Sequence, residues 1–442
     1  MPETVSCQTY IHGNYSSKDK LLLINPPVIE TRYAWVKWNQ PLDMLKLGSY
    51  LKSQIGCDVK LFDFMLPTNG RITRKAYKNE PEISVGNTSY LLWYYGKSFD
   101  DFHNYLDSLL PSWKPTAVWV TSLTSYWWRS ICQLILNIKN RIQDRQVILY
   151  GNYPRLETTH AYDNSYADIL VTDHIDLSQY HADFALYNTE NTPSFCALDM
   201  ECDSLTEEIR DKMKLGIKDF VFFNDDITTH GHKHFISRLK PVIEIVESYR
   251  KSEKPRFHGI CGIYPACFTE EIACRMKAAN FTELHFEYQT LDNGELDTEV
   301  YLKAKAAYEK AEFSLPIEAL TGFINIGLPN DSLEQIIRHA LNILEIFGAV
   351  IPKPYTPTPG TNIYEKYKSL LEEYRLEMLS PHLFPLAAAN GLLPGDYDEL
   401  YRLMAFLNYK VKQTCFNLFP PRIGFNSLKN TLEREIWKFG NG

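Results

Sequence analysis

One stretch near the amino terminus decides the fold class: residues 21–64 read LLLINPPVIETRYAWVKWNQPLDMLKLGSYLKSQIGCDVKLFDF. The apolar run at residues 21–25 predicts a buried strand, residues 42–55 have the apolar spacing of a helix, and residues 59–64 predict a second strand. Strands that alternate with helices are typical of βαβ units, which build parallel sheets. The sequence therefore predicts an α/β fold.

The same alternation continues through the first part of the chain. Further strands and a crossover helix are predicted at residues 117–121, 128–141, 147–150 and 169–172. This pattern predicts a doubly wound, Rossmann-like parallel sheet in a domain of residues 1–180. Such sheets bind ligands beyond the carboxyl ends of their strands, so the loops after Asn25, Thr121 and Gly151 form the expected binding edge.

A second alternation begins near residue 192 and has longer helices. Its predicted helices and strands, in chain order, are residues 205–215, 220–223, 234–249, 256–260, 270–279, 283–288, 299–311, 322–326, 333–347 and 349–352. About six βα units predict a (β/α)6 partial barrel at residues 181–364, with its chemistry at the carboxyl ends of the strands. We expect residues 365–442 to form a helical C-terminal region that caps the barrel.

Composition narrows the class of protein. The 442 residues are 45% hydrophobic and 23% charged, which is the balance of folded domains, and the net charge is -8. This charge and the lack of a Lys/Arg-rich run argue against a nucleic-acid partner, because phosphate binding needs clustered cations. No apolar run reaches the roughly 20 residues of a membrane span, and nine scattered cysteines fit a reducing compartment. We therefore expect a cytoplasmic protein without a membrane span.

The segment Thr189-Glu-Asn-Thr-Pro-Ser-Phe-Cys196 bears most directly on function. Its spacing is similar to that of a C-x3-C-x2-C loop, whose thiolates bind three irons of a [4Fe-4S] cluster. Here Thr189 and Pro193 stand in the first two positions, and Cys196 alone remains. A single thiolate does not hold such a cluster, so we expect no [4Fe-4S] cluster.

Motifs in both halves of the chain resemble those of the cobalamin-binding radical S-adenosylmethionine (SAM) proteins. They lie at residues 22–27, 47–52, 121–124, 150–152 and 167–173, and again at 222–226, 286–289, 323–332 and 355–361. The last of these, Tyr355-Thr-Pro-Thr-Pro-Gly-Thr361, is similar to the P-x-P-G-T loop of that family. The resemblance implies a cobalamin-binding Rossmann-like domain followed by a radical SAM barrel.

The barrel motifs also depart from the pattern of that family. Glu287 replaces the glycine that the family has before its glutamine, which puts a carboxylate where backbone would approach a ligand and argues against inherited SAM binding. The turn after residue 326 keeps Gly327 and Pro329, and Asn330 tolerates the left-handed backbone of the second glycine. Together with the lost thiolates, these changes predict a degenerate member of the family.

For cobalamin, the resemblance and the predicted sheet indicate five residues beyond the strand ends: Ser122, Thr124, Gly151, Asn152 and Thr158. Helix N-termini and small residues there can bind the phosphate of the nucleotide tail. The alternative is that these are ordinary capping and turn residues. The chain has no D-x-H-x-x-G motif, so bound cobalamin would lack a histidine ligand. The aromatic residues 126–128 either shield one face of the ring or pack in the core.

In the barrel, His285, Glu287 and Gln289 alternate along one predicted strand and therefore point to the same side. A glutamate and a histidine shielded from bulk water can have shifted pKa values and serve in acid–base catalysis. They can equally hydrogen-bond each other and fill the space left by the lost cluster and nucleoside. Both interpretations stay open.

A further candidate is the tract His230-Gly-His-Lys-His234, which follows Asp225 and Asp226. Three histidines at alternate positions near two carboxylates can bind a divalent metal ion, or they form a solvated loop and the start of a helix. The remaining cysteines of this half have spacings unlike those of clusters or zinc knuckles and are interpreted as small apolar side chains: Cys202, Cys261, Cys267 and Cys274.

Three functions are compatible with these features. The first, which we take as the prediction, is a cobalamin-binding protein whose barrel generates no radical and binds a small-molecule or peptide substrate, or an active enzyme partner, in a biosynthetic pathway. The second is a cobalamin-dependent methyltransferase or related group-transfer enzyme that uses polar chemistry. The third is a metal-dependent enzyme that uses the histidine tract at residues 230–234.

Overall fold

The structure, a computed structural model, describes residues 2–31, 40–68, 72–78, 82–85, 88–173, 176–187, 195–222, 231–313, 320–392, 394–397, 400 and 404. Its contacts divide the chain into two compact units. The first comprises Met1–Lys218 and Thr356–Pro385, and the second comprises Asp219–Tyr355 and Leu386–Gly442. The expected domain boundaries near residues 180 and 364 stay predictions.

The first unit alternates strands with helices over most of its length. Its strands are β1 (Glu3–Val5), β2 (Lys20–Asn25), β3 (Val28–Thr31), β4 (Asp58–Asp63), β5 (Arg74–Ala76), β6 (Glu82–Val85), β7 (Thr88–Tyr95), β8 (Ala117–Ser122), β9 (Gln146–Gly151), β10 (Ile169–Val171) and β11 (Phe195–Leu198). Its helices are α1 (Cys7–Asn14), α2 (Leu42–Tyr50), α3 (Phe99–Leu109), α4 (Trp128–Arg141), α5 (Asn152–Leu156), α6 (Thr158–Asn164) and α7 (Leu205–Lys214). A π-helical turn at Leu51–Ile55 continues α2.

Six parallel strands form the main sheet of this unit in the order β1-β10-β9-β8-β2-β4. Without the edge strand β1, this is the 2-1-3-4-5 order of flavodoxin-like sheets, which reverses between β2 and β8. Leu22 and Ile24 of β2 and Val120 of β8 are fully buried in one apolar core with residues of α3 and α4. The predicted doubly wound sheet is confirmed, and its switch point lies beyond Asn25 and Ser122.

The segment after β4 contains structure that the sequence analysis missed. Strands β3 and β5 pair antiparallel with β7, and β6 pairs with the other end of β7. Tyr90, Leu92 and Tyr94 of β7 are buried in a second small core with Ile29. The aromatic residues of this segment thus supply a core of their own.

The second unit continues the alternation. Its strands are β12 (Asp219–Phe222), β13 (Arg256–Gly259), β14 (Phe281–Phe286), β15 (Leu320–Ile326) and β16 (Val350–Pro354), and its helices are α8 (His232–Ser248), α9 (Glu270–Ala278), α10 (Thr298–Lys310) and α11 (Leu333–Phe347). Each strand pairs in parallel with the next one along the chain. Strand β11 and helix α7 precede these elements in sequence. Together, β11 to β16 are the six strands that the βα alternation predicts.

The two faces of the second sheet differ in chemistry. On one face, Phe220 and Phe222 stack on Phe257, and Phe286 stacks on Phe347 of α11. This face therefore packs on the helices. Side chains alternate along a strand, so the neighbouring positions form an opposite face, which we name the polar face. Its polar members are the partly exposed Asp219 and the buried residues His258, Glu283, His285 and Thr321.

Short helices follow β16. They are α12 (Asn362–Lys366), α13 (Lys368–Leu371) and single turns at Leu376–Leu379, Pro381–Leu383 and Ala387–Asn390. Thr361 Oγ1 caps α12 by accepting from the Tyr364 N–H at 3.3 Å. The helical character of the C-terminal region is confirmed here, and its capping of the barrel stays a prediction. In the described part of the chain, no helix is long and apolar enough to cross a membrane.

Candidate functional site

The ends of β8 and β9 meet at Ser122 and Gly151. Ser122 Oγ donates to the Tyr150 carbonyl oxygen at 3.2 Å and accepts from the Tyr153 N–H at 2.9 Å. Gly151 has a φ of 111°, and a Cβ on it would lie 2.4 Å from the Ser122 carbonyl oxygen. The adjacent strand itself therefore requires glycine at residue 151, and the Ser122 hydroxyl fixes the start of α5.

Asn152 and Thr158 also form bonds within the protein. Asn152 Nδ2 donates to the Leu123 carbonyl oxygen at 2.8 Å, and Asn152 Oδ1 accepts from Arg155 at 2.8 Å. The Thr158 hydroxyl donates to the Pro154 carbonyl oxygen at 2.8 Å. These side chains position the loops beyond the sheet, and their role toward cobalamin stays a prediction.

Two features of the loop after β8 fit a ligand. Leu123 is an apolar residue that is 41% exposed. The Thr124 hydroxyl is buried and has no hydrogen-bond partner of ordinary geometry among the described residues, although it is near the Tyr126 hydroxyl. A buried hydroxyl that lacks a good hydrogen bond costs up to about 1–3 kcal/mol, so a ligand group that bonds Thr124 would recover part of that energy. The loop lies at the switch point, where such sheets bind nucleotides.

Trp127 follows this loop and is bound to a buried carboxylate. Its indole Nε1 donates to Glu30 Oε2 at 3.2 Å, and the Ser380 hydroxyl donates to the same oxygen at 2.7 Å. The Thr31 N–H donates to Glu30 Oε1 at 2.8 Å. Burial raises the pKa of Glu30, and these hydrogen bonds oppose the rise. Trp127 thus has a partner within the protein, which favours the packing interpretation for this residue.

Trp128 is bound in a similar way to Glu377. Its Nε1 donates to Glu377 Oε2 at 3.0 Å, while Arg129 donates to Oε1 at 2.7 Å and Arg375 lies 3.1 Å from the same oxygen. Burial alone would raise the pKa of Glu377, but the bonds from Trp128 and Arg129 lower it. Glu377 was not predicted from the sequence, because its contact with Trp128 joins residues that are 249 positions apart.

On the polar face of the second unit, His285 is paired with Glu283. The distance from His285 Nε2 to Glu283 Oε1 is 2.9 Å, and each residue is 4% exposed. The His285 ring meets Phe323 edge-on, with the ring centroids 5.4 Å apart. A carboxylate that orients a buried imidazole is an arrangement suited to acid–base chemistry.

Glu287 and Gln289 lie past the end of β14, which stops at Phe286. Glu287 accepts from Lys353 Nζ at 3.1 and 3.4 Å. The Gln289 N–H donates to the Tyr301 hydroxyl at 2.9 Å. His285, Glu287 and Gln289 therefore do not all lie in one strand. His285 pairs with Glu283, whereas Glu287 pairs with Lys353. Their acid–base role stays a prediction.

Asp219, His258 and Glu283 are candidate residues that the sequence analysis missed. His258 Nε2 lies 3.0 Å from Asp219 Oδ1, and His258 Nδ1 lies 4.0 Å from Glu283 Oε2. Burial alone would raise the pKa of Asp219, but hydrogen bonds from His258 and Arg256 lower it. One signal was available in the sequence: Glu283 stands two residues before His285 on the same predicted strand. The contacts with β12 and β13 depend on strand register, which the sequence pattern does not give.

Cys196, which remains from the expected cluster loop, lies in β11 and is fully buried. Burial raises the pKa of its thiol far above the ordinary value, which favours the thiol over the metal-binding thiolate. Gln40 bonds the backbone on both sides of it at 2.7 Å. Thr189 and Pro193 lie outside the described residues.

The other metal-ligand candidates do not converge within the described structure. His232 pairs with Glu271 at 3.1 Å on the surface, while Asp225, Asp226 and His230 lie outside the described residues. Among the residues that are described, no group of three His, Cys, Asp or Glu side chains is placed to hold a metal ion. A metal site in the histidine tract stays a prediction.

The turn after β15 has the backbone that the sequence predicts. Gly327 has a φ of 83° and Asn330 has a φ of 73°, so the left-handed conformation expected of Asn330 is confirmed. Asp331 accepts from the Leu328 N–H at 2.8 Å, and burial raises the pKa of its carboxyl to about 6. Asn390 accepts from the Asn330 N–H and donates to the Leu328 carbonyl oxygen. A residue of the C-terminal region thus fixes this turn.

Comparison with known proteins gives a likeness of fold. No family model and no curated protein sequence matches this chain. Two solved structures that are similar to it are both of the radical S-adenosylmethionine methyltransferase TsrM from Kitasatospora setae. One has cobalamin and a [4Fe-4S] cluster bound, and it aligns with a TM-score of 0.51 and 11% identity over 79% of this chain and 75% of that chain. The other has tryptophan substrate and the SAM analogue aza-SAM bound, with a TM-score of 0.50 and 11% identity over 76% and 73% of the two chains.

At this identity the likeness concerns the fold alone. It confirms the predicted class: a Rossmann-like, doubly wound parallel sheet is followed by a barrel of the radical SAM type and a helical C-terminal region.

Proposed function

We propose that this chain is a degenerate member of the cobalamin-binding radical SAM family that does not cleave SAM and instead binds a substrate or a partner enzyme in a biosynthetic pathway. The observation that carries the proposal is the replacement of two cluster thiolates by Thr189 and Pro193 in a chain with a TsrM-like fold. Reductive cleavage of SAM needs an iron-sulfur cluster, because SAM binds to the unique iron of that cluster.

The remaining thiol supports this proposal. Cys196 is fully buried, and burial raises the pKa of its thiol far above the ordinary value. A metal ligand has to be a thiolate. Binding iron at Cys196 would therefore require both deprotonation in an apolar site and two further ligands from elsewhere.

Glu287 supports the proposal from the barrel side. Its carboxylate forms an ion pair with Lys353 at 3.1 Å, at the position where the family has a glycine. A charged pair at the strand end takes up space that backbone and ligand would otherwise share. We therefore expect SAM to bind weakly or not at all.

We also propose that the chain binds cobalamin. Leu123 and the buried Thr124 hydroxyl are the residues that fit such a ligand at the switch point, with Ser122, Gly151 and Asn152 shaping the loops around it. When bound, cobalamin supplies a cobalt centre that can carry a methyl group.

The loss of radical chemistry is tested by incubating the full chain anaerobically with SAM and dithionite after treatment with iron and sulfide. We expect no 5′-deoxyadenosine, because the cluster that would pass an electron from dithionite to SAM is missing. Multiple turnovers to 5′-deoxyadenosine would overturn the proposal. A radical SAM enzyme treated in parallel shows that the reagents are active.

Cobalamin binding is tested by incubation with hydroxocobalamin, desalting and measurement of the retained corrin absorbance. We expect retention by the wild type and a loss of roughly five- to tenfold in affinity for Thr124→Val, since a hydrogen bond to a buried group contributes about 1 kcal/mol. Thr358→Val, at an exposed loop position outside the switch point, is the control. A wild type without a corrin band would remove cobalamin from the proposal.

A second function, group transfer by polar chemistry, is favoured by the buried Glu283–His285 pair. The assay is the demethylation of methylcobalamin-loaded protein in the presence of cell extract. An enzyme would turn over and would lose most of its rate in His285→Gln. A binding protein would retain methylcobalamin unchanged in both forms.

A further inference from the structure

A line of ionisable side chains crosses the polar face of the second unit. It begins at the ion pair of Arg256 with Asp219 and runs through His258 and Glu283 to His285. The exposed fractions of the side chains along this line are 46% for Arg256, 15% for Asp219, 3% for His258, 5% for Glu283 and 5% for His285. The line therefore has one end near solvent, at Arg256, and a buried inner end, at His285.

Two of the three contacts along the line from Asp219 to His285 are as short as hydrogen bonds. Asp219 Oδ1 lies 3.0 Å from His258 Nε2, and Glu283 Oε1 lies 2.9 Å from His285 Nε2. Between these two pairs, His258 Nδ1 is 4.0 Å from Glu283 Oε2 and 3.2 Å from the Thr282 hydroxyl. The 4.0 Å separation is longer than a hydrogen bond, so proton transfer between His258 and Glu283 requires the Glu283 carboxylate to rotate toward Nδ1.

His258 lies between two carboxylates, one on the side of each ring nitrogen. Nε2 faces Asp219, and Nδ1 faces Glu283. An imidazole in this position can accept a proton at one nitrogen and release a different proton from the other. This property distinguishes the line from a simple ion pair, in which one nitrogen would be enough.

We propose that Asp219, His258 and Glu283 form a proton relay that loads and unloads His285. Protonated Asp219 gives its proton to His258 Nε2, His258 gives the proton on Nδ1 to Glu283, and Glu283 gives its proton to His285 Nε2. In each step one O–H or N–H bond breaks and one forms, and no electrons are exchanged. The reverse order returns a proton from His285 to the surface.

Energetics argue against a purely structural role for this line. Buried ion pairs contribute no more stability than well-packed apolar residues, and they often contribute less. The opposite face of the same strands is filled by stacked phenylalanines, so this sheet readily accommodates apolar side chains. An alternation of carboxylates and imidazoles is suited to moving protons between the surface and a buried residue. His285 would then serve a substrate with an exchangeable proton, such as an amide, an alcohol or an acidic C–H group. This inference does not rest on cobalamin binding.

The relay is tested by the rate at which the labile ring proton of His285 exchanges with solvent. Nuclear magnetic resonance of the full chain labelled with 15N-histidine measures this rate, and His285→Gln assigns the signal. We expect Asp219→Asn to slow the exchange by about tenfold or more, because exchange then depends on local opening of the unit. His258→Gln should have at least the same effect.

Two controls separate the relay from a change in folding. His232→Gln alters a surface histidine–glutamate pair and should leave the rate unchanged. Backbone amide exchange in β14 should also stay at the wild-type rate in Asp219→Asn, a variant of nearly unchanged volume that decides the question if His258→Gln fails to fold. An unchanged or faster His285 ring exchange in Asp219→Asn would overturn the relay and leave a static network.

Discussion

The two parallel sheets of this chain differ in what their polar residues bond to. In the first unit, Ser122 and Asn152 lie beyond the strand ends and bond the backbone of neighbouring loops. In the second unit, His258 and Glu283 lie inside strands and interact with other ionisable side chains. Backbone bonds at a sheet edge fix the loops beyond the strands, whereas neighbouring carboxylates and imidazoles can exchange protons. The two sheets therefore use their polar residues differently, and single substitutions should separate the two uses.

The largest effect is expected from Glu283→Ala on the polar face. Removing the carboxylate deprives the buried His285 of its ion pair with Glu283, and breaking a buried pair in this way costs about 3–5 kcal/mol. Urea unfolding followed by circular dichroism measures the loss. Glu283→Gln, which keeps the volume and a hydrogen-bonding group, should lose clearly less. A loss below about 1 kcal/mol for Glu283→Ala would mean that the pair is not buried as described.

A smaller loss is expected from Gly151→Ala at the edge of the first sheet. The new Cβ would meet the Ser122 carbonyl oxygen at 2.4 Å, and the φ of 111° is strained for alanine. We expect a loss of about 2–3 kcal/mol in urea unfolding. The matched control is Gly13→Ala, since Gly13 lies in α1 with nothing within 4 Å of its added Cβ. Equal effects of the two substitutions would contradict the close approach.

Glu208 provides a pH test in the first unit. This residue of α7 is buried, and burial raises the pKa of its carboxyl from 4.5 to about 7. The folded state therefore holds the proton of Glu208 more tightly than the unfolded state, so protonation of this residue stabilises the fold. Its contribution to the free energy of unfolding is complete below pH 4.5 and is lost as the pH rises to about 7. Glu208→Gln should match the wild type near pH 4 and be more stable by up to about 3 kcal/mol at pH 8. A difference that does not change with pH would contradict the shift.

The smallest effect is expected from His232→Gln. The pair of His232 with Glu271 has a distance of 3.1 Å, similar to the pair of His258 with Asp219, but it lies on the surface. Exposed pairs contribute less than about 0.5 kcal/mol in most cases. Unfolding in urea should therefore be almost unchanged. A loss above about 1 kcal/mol would show that burial is not what distinguishes the two pairs.

Much of the fold could be predicted from the sequence because apolar spacing reports burial directly. Helices α4 and α11 begin and end at the predicted residues, Trp128–Arg141 and Leu333–Phe347. The left-handed backbone of Asn330 was also predictable, since few residues tolerate it. These features depend on short segments, in which neighbouring residues carry the information.

The rest depends on contacts between distant residues. The sheet of β3, β5 and β7 was not predicted. Its strands pair antiparallel and therefore lack the alternation of strands with helices from which the parallel strands were predicted. In one interpretation Glu287 was the predicted hydrogen-bond partner of His285, but β14 ends at Phe286 and His285 pairs with Glu283 of the same strand. The register of β13 and β14 places His258 opposite Glu283. Glu377 bonds a tryptophan 249 positions away. Spacing within a segment carries no signal for such contacts.

The loss of cluster chemistry is tested most directly by Mössbauer spectroscopy of the full chain after anaerobic treatment with isotopically enriched iron and sulfide, beside Cys196→Ala. We expect neither protein to show the signal of a [4Fe-4S] cluster, because Cys196 is a buried thiol without the two companion thiolates. A cluster signal of about four irons per chain in the wild type, absent in Cys196→Ala, would contradict that expectation.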